Sequence, residues 1–204
     1  RIRQVRGMNY GDYAYIEYFP RGMFQTKPDA NLGRSEQIFQ VWLRPLRSNN
    51  DAHFATRVAL FELDKLIKDG MTEADFNATR NFLSNFVPQL VASQDRQLGY
   101  ALDSEFYNTE SFVEYVRKQL ASLTVEDVNR VIRENLQTDD VHYVFITGDG
   151  KDMQKRLAKE TVSPLKYNSD KPATLINEDK QIESYKLNIP AKNIEVLDVK
   201  KVFE

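Results

Sequence analysis

The chain contains no cysteine. Disulfides, thiolate nucleophiles and cysteine-ligated zinc are excluded together, and the compartment stays open. Histidine is nearly as scarce, with only His53 and His142 present. Neither has a second histidine or a glutamate at metal-ligand spacing, and neither H-E-x-x-H nor H-x-x-E-H occurs, so a self-contained zinc site is excluded. His53, in the first turn of a helix, and His142, at the start of a strand, are expected to be solvated or hydrogen-bonded structural side chains. An excess of one charge is also missing. With 28 basic and 30 acidic side chains and a net charge of −2, the chain has no electrostatic footprint for nucleic acid. No run approaches the ~18 to 20 apolar residues of a membrane helix. Nothing at the start resembles a signal peptide, but the chain begins at Arg1 within what reads as a helix and is taken as a fragment.

What is present is an ordinary globular composition. At 204 residues and 41% hydrophobic content, it can bury one good core or two small ones. The first twenty residues read as helix end, turn and strand, with Gly7 at the turn and an aromatic alternation after Tyr10. Tyr13 and Tyr15 fall on one side of that strand, and Ala14, Ile16 and Tyr18 on the other. A loop over Arg21 to Arg34 leads to a second strand, Gln37 to Leu43. Phe39, Val41 and Leu43 are expected to face inward, with Gln40 and Trp42 opposite. The two strands are expected to pair antiparallel, and Pro45 ends the second.

Ser48-Asn-Asn-Asp51 caps a helix expected to run to about Asp69, followed by Gly70 as its C′ residue. Its apolar stripe is Ala55, Val58, Ala59, Leu63, Leu66 and Ile67. Thr72-Glu-Ala-Asp75 is a capping-box variant with aspartate in the place of glutamate. Pro88 is expected to bend or split the helix it begins. Further helices are expected over Ser93 to Phe106, from Thr109, after Thr124-Val-Glu-Asp127, and over Lys151 to Lys159. Val141 to Thr147 reads as a strand of β-branched and aromatic residues. Ser163 to Lys192 is read as an extended arm and Ile194 to Val202 as a candidate terminal strand. The order of elements argues for an α+β fold, an antiparallel sheet with several helices packed on one face, over residues 1–160, with an extended C-terminal tail over 161–204.

Most chemical candidates dissolve into structure. Gly148-Asp-Gly150 before a helix lacks both the Walker lysine and the dinucleotide glycines, so a plain strand-to-helix turn is the better reading. Tyr10, Tyr13, Tyr15, Tyr18 and Phe19 lack basic partners for base stacking and read as sheet packing. Arg3 and Tyr10 remain, a guanidinium and a phenol that one turn brings to the same junction. Their bland explanation is an exposed helix-end arginine and a sheet-edge aromatic.

Arg3-Gln-Val-Arg-Gly-Met-Asn-Tyr10 resembles the arginine-to-tyrosine element of the pitrilysin and insulinase family of metallopeptidases, which is also the family of the mitochondrial processing peptidase. Lys68-Asp-Gly-Met-Thr-Glu-Ala-Asp-Phe76 is similar to that family's Gly-x-Thr-x-x-Glu helix start, and Leu123-Thr-Val-Glu-Asp-Val128 to its Leu-Thr-x-Glu-Asp-Val turn. The Val141 to Thr147 strand falls in the same order, so the resemblance covers about residues 1 to 160. Met8 and Asn9 depart from the commonest family spelling. The resemblance implies the last α/β repeat, ferredoxin-like in character, of the C-terminal half of a zinc endopeptidase. Zinc would belong to the parent protein and not to this fragment. The implied partners are an N-terminal zinc-carrying half, in the same protein or in a partner subunit, and an unfolded peptide substrate, with no nucleic acid and no membrane segment. Arg3 and Tyr10 would stabilise charge on a peptide carbonyl under attack, Arg3 alternatively holding a substrate backbone carbonyl. Some members of the family have lost their zinc ligands and act as substrate-holding partners. A free-standing α+β module taking peptides at a strand edge is a further alternative.

Overall fold

The computed structural model describes residues 1–17 and 38–202. The loop expected over 21–34 lies outside the described residues, as do the side chains of Tyr15, Ile16 and Tyr18. The described residues form seven α-helices and a small two-stranded antiparallel sheet, mostly helical and α+β in a loose sense. Strands β1 (Gly11–Glu17) and β2 (Ile38–Arg44) pair with each other. The chain divides into two compact units, one of residues 1–13, 41–64 and 138–204, the other of 14–40 and 65–137.

The first unit is built on the N-terminal turns of α1 (Asn49–Asp69). Ser48 accepts the Asp51 amide at 3.1 Å, satisfying a donor that the helix start leaves free. Phe54, Ala55 and Val58 are fully buried against Ile2, Met8 and Ile182. Leu60, two turns on from Ala52, meets Met153 and Leu157 of α6 (Gly150–Ala158) together with Leu187. Phe54 and Leu60 extend the expected stripe, because this part of α1 is covered on more than one side. Burying a side chain the size of Phe54 stabilises the fold by roughly 1.5–3 kcal/mol.

The C-terminal tail corrects the expectation of an extended arm. It contains a helix, α7 (Ala173–Ile182), whose Leu175 and Ile182 are buried. These two lie seven residues apart on one helix face, and the position between them is a buried carboxylate, Asp179. Arg6 donates to Asp179 at 2.8 Å and Tyr167 donates its hydroxyl at 2.5 Å. The stripe is therefore Leu, Asp, Ile, and a search for unbroken apolar period passes over it. The terminal strand expected over 194–202 is also absent. Ile194 packs on the core, and a short 3-10 turn, Val199–Lys201, follows Asp198, whose carboxylate accepts the Lys200 amide. Val141 to Thr147 alternates in exposure as a strand does, with Tyr143 and Phe145 packed on the core, but it pairs with no described strand. On β2, Phe39 and Val41 are about half exposed and do not face a core as expected, whereas Leu43 packs inward.

The second unit holds α2 (Glu73–Phe86), a 3-10 segment Val87–Val91, α3 (Gln94–Phe106), α4 (Phe112–Ser122) and α5 (Val125–Asn135). Pro88 ends α2 as expected, because its ring removes a donor and crowds the preceding turn. Phe76, Val87, Leu90 and Leu120 are buried, and Tyr100 stacks on Phe112 with centroids 4.0 Å apart. Gly70 has φ +76°, and its neighbour Met71 is held by the Asn129 amide, which accepts the Met71 N–H at 2.7 Å and donates to its carbonyl at 3.1 Å. A Cβ at Gly70 would meet Asn129 at 2.7 Å. At Thr72 the hydroxyl accepts the Asp75 amide, one half of the expected box. The complete box forms at Thr124, whose hydroxyl accepts the Asp127 amide while Asp127 accepts the Thr124 amide, each at 3.1 Å. Thr124→Ala is expected to cost about 1 kcal/mol. Chemical denaturation followed by circular dichroism checks this, and an unchanged midpoint would show that the box contributes nothing.

Candidate functional site

The first eight residues form hydrogen-bonded turns, not the helix end that the basic composition suggested. Gly7 donates to the Arg3 carbonyl at 2.8 Å and Met8 to the Ile2 carbonyl at 3.3 Å. Gly7 takes φ +64°, a left-handed conformation that costs other residues more. Ile2 and Met8 anchor the turn by inserting into the core. Its arginines then separate by role. Arg6 is buried and bonded to Glu178 at 2.6 Å and Asp179 at 2.8 Å, so it is no exposed helix-end cation. Arg1 pairs with Glu62 at 2.6 Å and with Glu178. Arg3 is exposed, and its guanidinium has no hydrogen bond or ion pair among the described residues.

The Arg3 guanidinium carbon lies 4.5 Å from the centroid of the Tyr10 ring. This is a cation–π contact, worth about 0.5–1 kcal/mol at an exposed position. It uses the face of the ring and leaves the hydroxyl unengaged. Tyr10 is 76% exposed, and its hydroxyl has no partner among the described residues. The junction thus presents two donors of different kind to solvent, on a turn fixed by buried neighbours on both sides. Asn9 steadies the exit by donating to the Gly11 carbonyl at 3.1 Å.

No protein-family model, curated protein or solved structure matches this chain. The chemistry of the junction is therefore argued from its own residues. Among the described residues no cluster of three or more His, Cys, Asp or Glu could hold a metal ion. His142 is exposed. Gly148 to Gly150 leads into α6, where Asp149 accepts the Asp152 amide at 2.9 Å and serves as the helix cap.

A second polar group, unforeseen in the sequence, lies inside the first unit. Arg57 is fully buried and donates to the Thr161 carbonyl at 3.0 Å, Ser163 Oγ at 2.8 Å, the Glu183 carbonyl and Glu160 Oε2 at 3.2 Å. Glu160 Oε1 in turn accepts the amides of Leu187 and Asn188 at 3.1 and 2.8 Å. Its partners are contributed by α1 and three separated stretches of the tail, so no local pattern announces the cluster. It closes the tail onto α1.

His53, one turn before Arg57, is also fully buried, and neither ring nitrogen has a hydrogen-bond partner among the described residues. The solvated or satisfied histidine expected from the sequence is not what forms. Burial first, then the nearby Arg57 and Arg156 cations, push its pKa down to about 4, against the opposing pull of Glu160. The unfolded chain, near the ordinary 6.5, binds the proton more tightly than the fold. Stability is accordingly complete above about pH 6.5 and falls as pH drops toward 4, by about 3 kcal/mol across that window. Urea denaturation at pH 7 and pH 5 checks this, and His53→Phe should flatten the dependence. The same slope in that variant would assign it to other groups.

Proposed function

We propose that this chain supplies the substrate-facing arginine and tyrosine of a zinc-dependent endopeptidase of the pitrilysin and insulinase type. In this reading residues 1–160 are the last α/β repeat of the C-terminal half, and the metal belongs to an N-terminal half outside the chain. The observation that carries it is the Arg3–Tyr10 junction, where a cation and a phenol are held 4.5 Å apart with both donor ends unengaged. In peptide hydrolysis negative charge grows on the carbonyl oxygen, and donors already aimed at that oxygen lower the barrier without reorganising. Tyr10 is the donor to that oxygen. Arg3 adds positive charge beside it or holds a neighbouring backbone carbonyl of the peptide.

The test uses the complete zinc-loaded protease containing this chain and an unstructured fluorogenic peptide. Arg3→Gln is expected to raise KM if the cation holds substrate, and to lower kcat if it stabilises charge. Wild-type kcat and KM in both Arg3→Gln and Tyr10→Phe would remove the site assignment. A parent that binds the peptide through this junction without cleaving it would instead be a substrate-holding partner half.

A further inference from the structure

The turn that carries Arg3 and Tyr10 is gripped by the far end of the sequence. Arg6, inside that turn, has a side chain with 0% exposure, so its charge needs acceptors within the fold. Helix α7 supplies two in succession. Asp179 Oδ1 accepts from Arg6 Nε at 2.8 Å, while Glu178 Oε2 accepts from Arg6 Nη2 at 2.6 Å and also pairs with Arg1. The Asp179 carboxylate is itself held in place, because Tyr167 donates its hydroxyl proton to Oδ2 at 2.5 Å. The tail reaches the backbone of the turn as well, where Lys171 donates to the Val5 carbonyl at 3.3 Å. Ile182, three residues beyond Asp179, packs with Ile2 and Met8 in the core.

These contacts settle the path of a backbone from which Arg3 and Tyr10 project. Gly7 closes the turn at φ +64° by donating to the Arg3 carbonyl at 2.8 Å, and Arg6 is its immediate neighbour. Taking the charge from Asp179 leaves a buried guanidinium with only part of its pairing, a costly state that Arg6 relieves by swinging toward water. The turn moves with it. The Arg3 guanidinium now lies 4.5 Å from the Tyr10 ring centroid, and an exposed cation–π contact is too weak to oppose that movement.

We propose that Asp179 is a positioning residue for the Arg3–Tyr10 junction, acting through Arg6, so that the tail sets the geometry in which the junction meets a peptide. The role of the junction rests on the peptidase reading; its placement by the tail does not. The test incorporates 3-fluorotyrosine at position 10 of the full chain and follows its fluorine NMR resonance. Arg3→Gln gives the resonance of the ring without its cation. Asp179→Asn, nearly the same shape as the original, is expected to move the resonance at least halfway to that value while circular dichroism shows the helices intact. Thr124→Ala, which weakens a helix cap in the other unit, should leave it in place. Where Asp179→Asn does not fold, Glu178→Gln makes the same comparison at the more exposed carboxylate. A stationary resonance in the folded variant, an equal movement in Thr124→Ala, or identical resonances in wild type and Arg3→Gln would overturn the proposal. In the complete protein Asp179→Asn is expected to lower kcat/KM by about tenfold or more, as misplaced binding groups do. A displaced resonance in Asp179→Asn with wild-type kinetics in both Arg3→Gln and Tyr10→Phe would end the peptidase reading and leave the positioning role. Impaired kinetics in those two with a stationary resonance in Asp179→Asn would do the reverse.

Discussion

On the proposed peptidase reading, replacing Tyr10 with phenylalanine is expected to lower turnover of the complete protein by ~10² or more, the usual consequence of losing one donor to a developing oxyanion. The substitution is chosen because it is narrow. Phenylalanine keeps the ring, and with it the face against which the Arg3 guanidinium rests at 4.5 Å. Only the hydroxyl goes. The turn around it is anchored by Ile2 and Met8 in the core and by the Gly7 to Arg3 hydrogen bond, none of which involves that hydroxyl. Stability and bound zinc should therefore match the wild type, while kcat falls and KM changes little. That combination separates loss of a transition-state contact from loss of fold or metal. Because the phenol is exposed in this chain, its full effect is expected only where a bound peptide shuts out water and the local dielectric falls. Metal analysis, a melting curve and steady-state kinetics on one preparation decide the matter. Undiminished kcat would end the catalytic assignment of Tyr10.

The second large effect is on stability. Arg57→Ala is expected to cost about 3–5 kcal/mol, the range for removing one member of a buried charge pair. The guanidinium serves the Glu160 carboxylate, the Ser163 hydroxyl and two backbone carbonyls, all of which would lose a donor inside the fold. Against a total stability of about 5–15 kcal/mol such a loss leaves little margin. Arg57→Lys should recover only part of it, since one ammonium cannot span acceptors placed for a planar fork. Trp42, the chain's single tryptophan, lies in the same compact unit, so denaturation followed by its fluorescence reads the change. A loss below about 1 kcal/mol would mean that water or relaxation satisfies those groups, and the cluster would then not hold the tail.

Local features were legible where one short stretch contains both halves of an interaction. The cap at Thr124 is written within four residues, and the break at Pro88 within one. Helix α1 ends where Gly70 stands, with the positive φ that glycine takes readily. Arg3 and Tyr10 also belong here, because a single turn closed by Gly7 brings them together. Features whose halves are far apart were not legible. Helix α7 carries a buried aspartate in its stripe that makes sense only once Arg6, 173 residues earlier, is beside it. His53 looked like an ordinary first-turn residue until α1 was covered on several sides.

The sequence by itself determined the limits of helices such as α1 and α3, the absence of cysteine chemistry and the spacing that places a guanidinium over a phenol, since each follows from backbone geometry and side-chain type over a few residues. Only the tertiary structure decided which charges are buried, that the tail folds back as a helix, and that Tyr143 and Phe145 of 141–147 lie on the core. Those outcomes depend on desolvation and on partners distant in the chain, and both are set by how the elements pack.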